Sequence, residues 1–182
     1  MGSGSVIYSK MKNKLGLALI GLVVIGTVAY IVFNKLGGNT PIEISLIKKS
    51  PEPLSGFYYV GTPQDERLSE AFQEMEKQKN LHPGTFLHTI YEVEPAGKLD
   101  TMRVFVGINQ ALSGEEIETR IFREQSFLLA KIQANRWVMP GPEKVKERIR
   151  EFADSAQISL SEVFIDKIIA ENEVHVIAPV KD

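Results

Sequence analysis

The 182-residue chain contains no cysteine. That single absence removes disulfides, thiolate nucleophiles, a lipid-modified cysteine and cysteine-ligated zinc, and it leaves the redox compartment open. Histidine is scarce too. His82, His88 and His175 show no metal-ligand spacing, so no metal site is expected. No glycine-rich phosphate loop and no serine nucleophile elbow occur, and no cofactor is expected. Nor is there a surplus of positive charge, with 21 basic residues against 23 acidic ones. Lys10, Lys12, Lys14 and Lys35 all precede residue 41, where no acid occurs, so 17 basic residues face 23 acidic ones in the remainder. A net charge of about −6 there makes a poor polyanion binder, because nucleic-acid affinity comes mainly from neutralising phosphates. No nucleic-acid partner is expected.

Charge is also missing from residues 15–33 (LGLALIGLVVIGTVAYIVF). As a helix this run would reach roughly 28 Å, close to a bilayer's hydrocarbon core. It reads as a single-pass N-terminal anchor that places the chain at a membrane. The domain division is then 1–14 as an N-terminal tail, 15–36 as a transmembrane anchor helix, 37–41 (GGNTP) as a linker and 42–182 as the folded domain. A cleaved secretory peptide is the competing reading. The basic start at Met11 suits it, but its small-x-small match, Thr27-Val28-Ala29, lies inside the run. Lysines flank both ends of the run, which leaves the side of the folded domain open. Gly16, Gly21 and Gly26 recur every five residues, so no GxxxG face supports helix dimerisation. Residues 1–5 (MGSGS) read as a flexible leader, with Met11 as an alternative start.

From residue 42 the apolar period is strand-like, then helical, then strand-like, and the cycle repeats. Strands are predicted over 42–49, 54–60, 86–93 and 102–108, and a helix over 65–79 with Leu68, Phe72 and Met75 as its apolar stripe. In the second half strands are predicted over 119–123, 127–133, 164–170 and 174–180. The helix there spans 142–152, with Val145, Ile149 and Phe152 inward. The letters correspond as well: TFLHTIY at 85–91 sits where VFIDKII sits at 163–169. The fold class is therefore α+β, a duplicated ββαββ unit forming an antiparallel sheet with its helices on one side and a central cleft, preceded by one transmembrane helix.

The segment LSGFYYVGTPQDE at 54–66 followed by LSEAF at 68–72, HTIYEVEP at 88–95 followed by MRVFVGI at 102–108, and VHVIAPV at 174–180 together resemble the GyrI-like (gyrase-inhibitor-like) family of effector-binding domains. The resemblance covers roughly residues 42–181 and rests on order, spacing and internal repeat rather than on one motif. It implies a cleft that takes bulky aromatic or cationic small molecules, framed by aromatic rings around an acid on the first strand of the last hairpin. In some members it implies hydrolysis of electrophilic, cyclopropane-bearing toxins. Here Asp166 stands at the acid's position, with Ile168 where a tyrosine is usual; a second register puts Glu162 there instead. Tyr91, from the matching hairpin of the first half, is placed to supply the missing phenol.

The candidate ligand-binding residues are thus Asp166, Phe57, Tyr58, Tyr59, Tyr91 and Trp137, and Asp166, Glu162 and Tyr91 are the catalytic set if the protein is an enzyme. A carboxylate in an aromatic-walled cleft attracts a lipophilic cation through charge and ring quadrupoles. Phe57, Tyr58 and Tyr59 are consecutive on a strand, so one must point away from the other two. Trp137 and Phe105 have core packing as their default role, and the charged run 143–151 reads as a solvated helix face. Three functions follow: a membrane-tethered binding module for amphipathic aromatic or cationic small molecules, a hydrolase of electrophilic compounds, or a membrane-anchored adaptor for a protein partner.

Overall fold

Alternation of apolar and polar residues produces eight strands, and all of them join one antiparallel sheet. The computed structural model describes residues 4–181, with side chains from Leu19 onward. After helix α1 (Gly4–Lys35) come β1 (Glu43–Ile47), β2 (Leu54–Gly61), α2 (Glu66–Leu81), β3 (Leu87–Val93) and β4 (Met102–Ile108). The second half supplies β5 (Glu118–Arg120), β6 (Phe127–Gln133), α3 (Pro142–Ser155), β7 (Ile165–Ala170) and β8 (Glu173–Pro179). Across the sheet the order is β1-β6-β8-β7-β3-β4-β2-β5.

That order reads the same from either end once the halves are exchanged, so the sheet carries a pseudo-twofold between β7 and β3. The two outermost strands are swapped: β1 pairs with β6 of the second half, and β5 with β2 of the first. The halves therefore interlock at both edges as well as at the centre. At the centre Thr89 lies opposite Asp166 and His88 opposite Lys167. Side chains on one sheet face recur every second residue, so the repeat must preserve face. A shift of 77 residues does so: it carries Thr89 onto Asp166, Tyr91 onto Ile168, and the stripe Leu68, Phe72, Met75 onto Val145, Ile149, Phe152. The letter match at 85–91 and 163–169 is thus one residue out of register.

Both helices are amphipathic and lie on the same sheet face, each over its own half. Asp65 caps α2 by accepting a hydrogen bond from the Arg67 N–H at 3.0 Å. Gly84, at φ 89°, turns the chain back toward β3. Pro142 opens α3, where its missing N–H costs nothing. Leu68 and Met75 of α2 pack on Tyr59, Leu87, Met102, Val104, Val106 and Ile108. Val145, Ile149 and Ala153 of α3 pack on Leu128, Ala130, Ile132, Val176 and Ala178. The opposite face is closed by a third cluster of Leu54, Ile90, Phe105 and Ile165.

Three expectations need correction. Among the described residues no helix is long and apolar enough to cross a membrane. Residues 15–18 of the apolar run lie outside the residues whose side chains are described. The membrane location, and with it the single-pass transmembrane anchor at 15–36, is withdrawn on that finding. Trp137 is not a core residue: it is 77% exposed, with the Arg136 guanidinium 4.8 Å from its ring centroid. The strand expected at 119–123 stops at Arg120, and Ile121 stands exposed beyond it.

Candidate functional site

Where the two helices part, the middle of the sheet is left uncovered and forms the floor of a cleft of about 480 Å³. The floor comes from Thr89 and Tyr91 of β3 and Asp166 and Ile168 of β7, the residues exchanged by the pseudo-twofold. Phe72 of α2 forms one wall. The other is built from Val145 and Lys146 of α3 with Met139 and Pro140 of the segment before it. Glu94 and Pro95, just past the end of β3, close one end. A mainly apolar cavity with a few convergent polar groups is the usual form of a small-molecule site.

Asp166 is the acid on the floor. Burial pushes its carboxyl up to about 6 despite the opposing charge of Lys146, with Glu94 adding to the rise and the Thr89 side chain opposing it. Tyr91 is also raised above the ordinary phenol value, first by burial and then by the negative charges of Asp166 and Glu94. Lys146, its side chain only 13% exposed, pairs with Glu94 and lies 3.4 Å from Glu143. The cleft therefore holds two carboxylates, one ammonium and one phenol against a largely hydrophobic wall.

Of the sequence candidates, the structure brings Asp166 and Tyr91 together here and distributes the others elsewhere. Glu162 is exposed on the loop before β7 at φ 64°, 3.5 Å from Arg150. The three consecutive aromatics of β2 border a separate hollow with Arg67 and Glu70. Within it Tyr59 donates to the Thr62 carbonyl at 2.9 Å and Phe57 packs into the α2 cluster. Tyr58 joins the cluster on the other sheet face, donating to Glu92 at 2.7 Å beneath the Arg120 guanidinium. Trp137 belongs to the segment that supplies Met139 and Pro140, but it points outward.

Phe72, Thr89, Glu94, Met139, Pro140 and Lys146 are among the cleft residues that sequence reasoning missed. Two of them carried a signal. Phe72 stands on the predicted α2 stripe, and Thr89 lies one shift of 77 from Asp166. Lys146 sits at the border of the α3 stripe, next to Val145, and a charged run read as solvent-facing conceals it.

Comparison with solved structures separates fold from chemistry. The chain superposes on the C-terminal domain of EcmrR with a TM-score of 0.53 at 9% identity, over 78% of this chain and 98% of that domain. This chain has the fold of the EcmrR C-terminal domain. A Listeria innocua hydrolase matches with a TM-score of 0.54 at 7% identity, over 82% of this chain and 98% of its own. EcmrR in a complex with DNA gives 0.55 at 9% identity, over 100% of this chain and 73% of the other. The likeness is consistent with the GyrI-like resemblance of the sequence, and at these identities it extends to fold alone. No protein-family model matches the chain, and no curated protein does.

Proposed function

We propose that the protein, through a domain at 42–182, is a binding module for amphipathic aromatic cations, taken into the cleft between α2 and α3 with Asp166 as the acid that reads their charge. The observation that carries this reading is an acid on the floor of a largely apolar cavity, its carboxyl pushed up by desolvation. An acid so placed gains most from a cation that also excludes water, because the attraction between them grows as the local dielectric falls. Tyr91 and Phe72 add aromatic surface for the rest of the ligand.

Isothermal titration with tetraphenylphosphonium tests it. Saturable binding by the wild type, weakened about tenfold or more in Asp166→Asn, supports the reading. Heat indistinguishable from dilution, or equal affinity in the two proteins, contradicts it.

Hydrolysis of an electrophilic aromatic compound is a second reading, favoured by one observation. A carboxyl at about 6 beside a phenol is poised to exchange protons near neutral pH. Incubation with an arylcyclopropane electrophile separates the two functions. A product heavier by one water, absent with Asp166→Asn, establishes turnover; unchanged ligand mass leaves binding alone.

A further inference from the structure

Lys146 is the only cation among the cleft's lining residues, and it already occupies the place an incoming cation would want. Its side chain is 13% exposed, its Nζ pairs with Glu94 at the end of the cleft, and its charge acts on Asp166 below. The Phe164 ring centroid lies 5.7 Å away, a further favourable contact for the ammonium. A second acceptor is within reach on the outer side. Glu143, one helical turn earlier and 75% exposed, stands 3.4 Å from the same Nζ. Lysine carries its charge on a flexible four-carbon stem. The one Nζ thus bridges an inner partner, Glu94, and an outer one, Glu143.

We propose that Lys146 is a tethered counter-cation that sets the charge selectivity of the cleft: an organic cation enters by displacing it from Glu94 toward Glu143. This rests on the reading of the cleft as a cation site. With Lys146 paired to Glu94, the acid end is largely neutralised and favours neutral or weakly charged aromatics. With Lys146 outside, Glu94 and Asp166 both face the ligand. The outer partner lowers the cost of displacement, because the ammonium keeps Glu143 as it leaves Glu94 rather than passing to bare solvent. Selectivity then has a repulsive element, the resident lysine, as well as an attractive one, Asp166.

The test uses the full chain and two probes of the same shape and opposite charge, tetraphenylphosphonium and tetraphenylborate. Lys146→Met keeps the apolar stem and removes the charge; Lys146→Arg keeps the charge. The expected result is tetraphenylphosphonium affinity at least tenfold higher in Lys146→Met, near wild type in Lys146→Arg, and weaker tetraphenylborate binding in Lys146→Met. Should Lys146→Met fail to fold, Glu143→Gln on the exposed helix face decides alone. Loss of the outer partner lowers tetraphenylphosphonium affinity about threefold. Equal or lower phosphonium affinity in Lys146→Met, or an unchanged one in Glu143→Gln where that variant alone is available, overturns the role of Lys146 while the cation site stands. Absence of saturable phosphonium binding in every protein overturns the cation site itself.

Discussion

Two titratable residues, His88 and the partly buried Asp166, sit at neighbouring positions of the repeat but on opposite faces of the sheet, and they pull stability in opposite directions. Asp166 has a folded pKa of about 6, above its ordinary value of 3.8. The folded protein binds that proton more tightly, so its contribution to stability is fully present below pH 4 and is lost as pH rises through 6. Asp166→Asn should therefore melt higher than the wild type at pH 7.5, by an amount on the order of 1–3 kcal/mol, and the difference should shrink at pH 4. Parallel thermal melts at the two pH values check it. An acid held at a cost to stability is the trade expected of the proposed function.

His88 behaves in the converse way. It is 2% exposed, and burial pulls its imidazole down to about 4, with Lys167 acting in the same direction and the Phe86 carbonyl and Glu52 opposing. Nδ1 donates to the Phe86 carbonyl at 2.9 Å, which fixes the neutral tautomer. Its stabilising contribution is present above pH 6.5 and is lost as pH falls through 4. The His88 ring resonances should stay in their neutral position down to pH 5 in an NMR titration. A midpoint near 6.5 would mean that water reaches the ring.

At the scale of elements, α3 carries both a wall of the cleft and the core of its half. Ile149 is fully buried against β6 and β8. Ile149→Ala should cost about 2–5 kcal/mol in denaturant unfolding. It should also weaken ligand binding, because Val145 and Lys146 ride on the same helix. An unchanged midpoint would contradict the packing described.

Elements were also the scale most legible in the sequence. The strands at 102–108 and 127–133 appear where alternation puts them, and α2 begins where Asp65 can cap it. Pro142 likewise marks the start of α3. Pairing was not legible. Nothing local to β1 or β5 says that each will cross to the edge of the other half, because that choice is made by contacts distant in sequence. The cleft was half legible for a related reason. Asp166 and Tyr91 stand on strands whose period is clear. Glu94 and Lys146 meet only when a strand end and a helix border are brought together by the fold. The membrane assignment failed on the described helix, and Trp137 failed because an aromatic in a connecting segment has no periodicity to orient it.

For the whole molecule the pseudo-twofold explains why a cavity forms between the two helices and why it is asymmetric in chemistry. Duplication places two helices side by side over a continuous sheet and leaves the seam between them open. At the seam the twofold equates Thr89 with Asp166 and Tyr91 with Ile168, so each half contributes one polar and one larger side chain. Of these four floor residues, Asp166 brings its acid from the second half and Tyr91 its phenol from the first. A ligand with a cationic centre and aromatic arms matches that division.

The most direct test of this account is the pH dependence of tetraphenylphosphonium affinity in wild type and Asp166→Asn, measured by titration calorimetry at pH 5 and pH 8. Of the groups lining the cleft, Asp166 has the carboxyl pushed up to about 6, inside the window between these two pH values. If only the ionised acid binds, affinity should fall about tenfold from pH 8 to pH 5, and the fall should vanish in Asp166→Asn. An affinity independent of pH in the wild type, or a fall that persists in Asp166→Asn, would contradict the assignment of Asp166 as the residue that reads the cation.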